Sequence, residues 1–114
     1  MEPRHWTVDE ANAALEWVGA LVERARAAGS QSTGSSGGNG SKPAAIVLTE
    51  VVDALAAEGI VLRDVDRGLI DFSAVTSSGR PFWLCWVVGE PEVAWWHWPE
   101  DGFAGRTPVA ELPE

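Results

Sequence analysis

PFWLCWVVGEPEVAWWHW, residues Pro81–Trp98, holds five of the seven tryptophans of the chain, its one cysteine and one of its two histidines. Apolar residues alternate on both sides of GEP, Gly89–Pro91, which is the period-two signature of paired strands. The pattern predicts strands over Phe82–Val88 and Glu92–Trp98. Alternate residues of a strand share a face, so the loop length decides which side chains meet. A two-residue turn at Gly89-Glu90, or a four-residue loop over Gly89–Glu92, groups Phe82, Leu84, Trp86 and Val88 with Val93, Trp95 and His97. Trp83, Cys85 and Val87 then face Ala94, Trp96 and Trp98. A three-residue loop exchanges the sets and aligns Trp83 with His97 and Cys85 with Trp95. Glycine first in a two-residue turn is favoured hairpin chemistry. Pro91 has no amide to close that turn, which makes the four-residue loop its rival. Either even-length loop puts Cys85 and His97 on opposite faces.

Both faces of this hairpin are apolar, and helices can cover only one. A tryptophan buries on the order of 150–250 Å². At about 25 cal/mol per Å², leaving Trp83, Trp96 and Trp98 bare forfeits several kcal/mol. The second face therefore needs a cover. The candidates are the tail from Gly102 to Val109, the segment around Trp6, a second copy of the chain, a protein partner, or a small molecule that stacks on indoles. Trp83, Cys85, Trp96 and Trp98 form the candidate binding surface. The leading expectation is a non-enzymatic binding or self-association module.

Site chemistry is sparse on this reading. A zinc site takes about four Cys, His or acidic ligands, often at short paired spacings. Here one cysteine and one histidine fall on opposite faces, and His5 precedes the first helix, so neither a metal nor another cofactor is expected. Cys85 in mid-strand reads as a small buried hydrophobe with no base beside it. The alternative is a small-molecule pocket or enzyme site. It would use His97, Arg106 and a carboxylate from Glu90, Glu100 or Asp101, rimmed by Trp83 and Trp98. GFAGR, Gly102–Arg106, has the glycines of an anion-binding nest with Arg106 as its charge, but the favoured reading is that they serve turn geometry while Phe103 docks as an anchor. RDVDRG lacks the remaining ligands of a calcium loop and reads as a hairpin turn.

Upstream, Thr7 followed by Glu10 is a capping box. Val8, Ala11, Leu15, Val18, Val22 and Ala25 then form one apolar stripe, predicting a helix from Thr7 to Ala28 that stops at Gly29. GSQSTGSSGGNGSK, residues 29–42, has the composition of a flexible linker. Pro43 opens a second helix over Ala44–Glu58, antiparallel to the first, with Gly59 as its C′ residue. Beyond Gly59 the period falls to two, giving short strands at Ile60–Arg63 and Leu69–Phe72. Ile60, Leu62, Ile70 and Phe72 face inward, with Val61, Arg63 and Asp71 outward. The proline- and glycine-rich tail after Trp98 reads as irregular. The expected architecture is α+β in one domain over residues 1–114: two antiparallel helices on a four-stranded antiparallel meander sheet, ααββββ.

The bulk properties narrow the function. A net charge of −9 repels nucleic-acid phosphate and anionic lipid. A lone cysteine forms no intramolecular disulfide. MEPRHWTVDEANAALEW puts acids where a signal peptide needs an apolar core. A cytoplasmic protein is the expectation.

RHWTVDEANAALEWV, LRDVDRGLIDF, WLCWVVGEPEV and WWH…GFAGR together resemble an uncharacterised bacterial family, domain of unknown function 2203. The resemblance spans nearly the whole chain outside residues 29–42. It implies a small soluble protein and supplies no catalytic residues. Two departures stand out: DFSAV has no proline after Phe72, and WHWPED has no acid directly after His97.

Overall fold

The computed structural model of the chain describes residues 4–31 and 43–113. The capping box forms as the sequence predicts: Glu10 donates its amide to Thr7 Oγ1 at 3.1 Å, and Thr7 donates its own to Glu10 Oε1 at 3.0 Å. It starts helix α1, Val8–Gln31. Ala11, Ala14, Val18, Val22 and Ala25 are the buried stripe, while Val8 and Leu15 pack at its margin. The helix runs through Gly29 rather than stopping there. Gly29 is absent from the positive-φ glycines, so the left-handed turn of a C′ glycine is not made at that point. Most of the expected linker, residues 32–42, lies outside the described residues.

Helix α2, Ala44–Ala56, buries Val51 and Leu55 and packs against α1, with Arg24 of α1 bridging to Glu50 of α2 at 2.9 Å. It ends in a turn at Gly59, where φ is +74°. A Cβ on Gly59 would sit 2.6 Å from the carbonyl oxygen of Arg4. That close approach belongs to a tie in which Trp6 donates its amide to Ser73 O and its indole Nε1 to Glu58 O, both at 2.7 Å. Gly59→Ala is therefore expected to cost about 2–3 kcal/mol, combining left-handed strain with a backbone collision. Urea denaturation measures it, and a loss below about 1 kcal/mol would show that the Arg4 segment yields at little cost.

The sheet comprises β1 (Ile60–Asp64), β2 (Leu69–Val75), β3 (Pro81–Val87), β4 (Trp95–His97) and β5 (Thr107–Pro108). They form an antiparallel meander in the order β1-β2-β3-β4-β5. The α+β class holds, but the sheet has five strands where the sequence reading gave four. The extra strand lies in the tail: Thr107 and Pro108 pair with Trp96 and Trp95, and Val109 donates its amide to Ala94 O at 2.9 Å. A proline is tolerated there because β5 is an edge strand. One cross-strand row, Ile60, Phe72, Leu84 and Trp96, faces the helices with Ile70, Trp86, Ala74 and Phe82 beside it. Trp6 packs edge-on against Phe72 at 5.2 Å between ring centroids. No helix among the described residues is long and apolar enough to cross a membrane.

The β3–β4 register corrects the sequence reading. Trp83 pairs with His97, Leu84 with Trp96 and Cys85 with Trp95, the pairing of an odd-length connection. Residues 88–94 all lie outside the two strands. The cause is a contact from far along the chain. Val93, fully buried, donates its amide to Asn12 Oδ1 of α1 at 2.7 Å instead of to a strand. On the other side, Val88 donates to Gly68 O at 3.0 Å, and the Glu90 carboxylate accepts from the Val87 amide at 2.8 Å. The return strand begins only at Trp95, one parity step from a tight hairpin. Cys85 and His97 consequently share a face, and Trp96 moves to the other.

Candidate functional site

The face away from the helices carries Asp71 opposite Cys85, Cys85 opposite Trp95, and Trp83 opposite His97. Asp71, Cys85 and His97 are 2%, 0% and 3% exposed, so an outward-alternating position is here an interior one. The tail provides the cover. Pro99, Gly102 and Phe103 close a cavity of about 260 Å³ whose other walls are Arg63, Leu69, Asp71, Cys85 and His97. The sequence reading offered this tail as one of several covers for the second face.

Asp71 is the hub. Its Oδ2 accepts from Arg63 Nε at 2.9 Å and lies 3.0 Å from His97 Nε2. Arg63 reaches it because β1 is irregular at that point: Leu62 pairs with Ile70 and Asp64 with Leu69, leaving Arg63 as the extra residue of a bulge. The guanidinium also lies over the Trp83 ring, 4.8 Å from its centroid. The other ring nitrogen of His97, Nδ1, is 2.8 Å from the carbonyl oxygen of Trp98. A carbonyl can only accept, so Nδ1 carries a proton and donates it. Asp71 Oδ1 is buried with no hydrogen-bond partner among the described residues. Such a group costs free energy unless something outside the chain meets it.

The ligand-capable atoms of Asp71, Cys85 and His97 all lie within 4.8 Å of one another. Burial, followed by the adjacent Asp71 carboxylate, pushes the Cys85 thiol up from its ordinary 9.0 to about 12, with Arg106 opposing them. The thiol is therefore neutral across physiological pH and a poor nucleophile without further help. His97 Nε2 lies against Asp71 Oδ2 at 3.0 Å, and no hydrogen bond joins His97 to Cys85 among the described residues. The cluster does not have the geometry of a Cys–His nucleophile pair.

The residues singled out by sequence are distributed differently from either expected grouping. Trp83 and Cys85 stay on the outer face, but Trp96 lies in the core at 6% exposure. Trp98 stacks edge-on against Trp96 at 5.0 Å and Phe82 at 6.3 Å, under Arg80. The even-loop surface of Trp83, Cys85, Trp96 and Trp98 is therefore not one face. Of the alternative pocket, Glu90 and Arg106 do meet, at 2.8 Å. Burial works against the Arg106 charge, but the Glu90 hydrogen bond and charge outweigh it and hold its pKa above the ordinary value. His97 is held by Asp71 rather than by that pair. Glu100 bonds Arg80 at 3.3 Å, and Asp101 packs its Cβ where a Cβ on Gly105 would lie, 2.5 Å away.

Asp71 and Arg63 were missed as site residues. Strand alternation places both outward on a short strand, a position normally solvated. The available signal was that Asp71 sits within LIDF on a strand adjoining a hairpin apolar on both faces, where even the outer side needs a lid.

No curated protein and no solved structure matches the chain. A family model does match residues 39–109, which run from just before α2 through the sheet to the residue after β5 and take in every residue lining the cavity. That family is described as an uncharacterized conserved protein, DUF2203, and the chain belongs to it.

Proposed function

We propose that the chain is a small-ligand-binding protein whose site is the cavity beneath Pro99–Phe103, and that its ligand bears an anionic group. One observation carries the reading: a buried cluster of ionisable side chains opens onto a cavity instead of being sealed by packing. Concave sites with a few convergent polar groups are the usual form of small-ligand sites. Arg63 favours an anion. Its Nε is committed to Asp71, and its side chain is 42% exposed at the cavity wall, which leaves the Nη groups to meet a ligand. The indole of Trp83 holds the guanidinium flat. The opposing reading, a Trp-rich self-association face, has less to draw on, because Trp96 and Trp98 are occupied in internal edge-to-face contacts.

Amide shift mapping of ¹⁵N-labelled protein titrated with acetate, a dicarboxylate and inorganic phosphate tests the proposal. The expected result is saturable shifts at Arg63, Leu69, Cys85, His97 and Phe103 for at least one probe, weakened roughly tenfold or more in Arg63→Gln. Shifts centred elsewhere, or a linear response without saturation, would overturn it.

A further inference from the structure

We propose that Asp71, Cys85 and His97 form a binding site for a divalent transition metal, with Zn²⁺ as the best match to the donor set. This rests on the reading that the cavity is the functional site, and names an occupant of its floor. The premise against a metal in the sequence was that Cys85 and His97 point opposite ways, and the observed register removes it.

Four features converge. One sulfur, one imidazole nitrogen and one carboxylate oxygen lie within 4.8 Å of one another and are all buried. Zinc bonds to such donors are about 2.0–2.3 Å, which puts tetrahedral ligands roughly 3.3–3.8 Å apart. Closing the present cluster thus takes side-chain shifts of about 1 Å, with no change of strand register. Second, His97 has the outer partner a metal-bound histidine has: Nδ1 donates to the Trp98 carbonyl at 2.8 Å, which turns Nε2 inward to Asp71. Third, Asp71 Oδ1 is buried with no hydrogen-bond partner among the described residues, while Oδ2 is anchored by Arg63. A carboxylate clamped at one oxygen and unfilled at the other is arranged as a ligand. Fourth, the cavity lies over these three groups, leaving the open position of a three-ligand zinc site.

Binding exchanges protons and one internal hydrogen bond for bonds to the metal. Cys85 Sγ releases its proton to solvent and gives a lone pair to the ion; His97 Nε2 leaves Asp71 Oδ2, the proton shared between them passes to solvent, and the Nε2 lone pair goes to the metal. An ion held by one thiolate and one carboxylate is charge-balanced. Arg63 is then still present at the wall for an anion in the fourth position.

Cobalt is the probe, used with the full chain after treatment with a chelator. One equivalent of Co²⁺ is expected to give a thiolate-to-cobalt charge-transfer band with the intense visible bands of four-coordination, both bleached by Zn²⁺. Cys85→Ser should lose the charge-transfer band. His97→Gln should weaken Zn²⁺ binding by more than the roughly 10–100-fold typical of losing an outer partner. Amide spectra of each variant establish that it is folded. Absence of the band in folded wild-type protein at saturating Co²⁺, or its survival in Cys85→Ser, overturns the metal site. If the metal fails while anions still titrate the cavity amides, the ligand-binding reading stands alone. If both fail, the cavity itself is not the site.

Discussion

Asp71→Ala is expected to destabilise the fold by about 3–5 kcal/mol, the cost of removing one partner from a buried ionic cluster. The loss falls mainly on His97. Arg63 is 42% exposed at its side chain and returns to water, whereas the His97 side chain is 4% exposed and loses its Nε2 partner, Asp71. His97→Ala is expected to cost less, about 2 kcal/mol, because Asp71 keeps its charge-assisted bond from Arg63. The asymmetry is the test: a double-mutant cycle by urea denaturation should give a coupling above about 1 kcal/mol. If Asp71→Ala loses less than about 1 kcal/mol, water already reaches the cluster and its burial is nominal. Against a total stability of about 5–15 kcal/mol, the expected loss is large.

The same cluster separates structural from functional reasons for its existence. Buried ionic groups can often be replaced by well-packed apolar ones at no loss of stability. Asp71→Leu combined with His97→Phe should therefore recover most of what Asp71→Ala loses. A chain that folds as well without the cluster has no stability reason for keeping a charged one, with an unfilled carboxylate oxygen facing a cavity.

Local pattern made the helices legible. The Thr7–Glu10 box and the three-four spacing of the α1 stripe are satisfied within a few residues, so neighbouring sequence was enough to place them. Gly59 was legible for the same reason, since its positive φ closes a turn between adjacent elements. The hairpin parity was not. It depends on Asn12 capturing the Val93 amide across 81 positions of sequence, and no property of GEP encodes that. Because strand faces alternate with period two, one step of error exchanged every partner. An even-length loop sets Cys85 and His97 apart and puts Trp96 with Cys85. The strand β5 was hidden by its composition, because an edge position tolerates Pro108 where a central strand would not.

Trp96→Ala follows from the corrected register and is expected to cost about 3–5 kcal/mol, as for truncation of a large aromatic in a core. On the even-loop reading the same change would strip an interface and leave the monomer intact. In the structure Trp96 is 6% exposed, opposite Leu84 on the helix side of the sheet. Its ring meets Phe82 edge-on at 5.7 Å and Trp98 at 5.0 Å, so truncation opens a cavity beside these two rings. Trp96→Phe provides the control. Indole Nε1 is buried with no partner among the described residues, and phenylalanine removes that unmet donor while keeping much of the ring contact. Its cost should stay below about 1.5 kcal/mol. Urea denaturation read by far-ultraviolet circular dichroism, with light scattering for mass, distinguishes the two accounts. A stable Trp96→Ala variant of reduced oligomeric mass would return Trp96 to the surface. A destabilised variant of unchanged mass fixes it in the core and leaves the outer face to Asp71, Cys85 and His97.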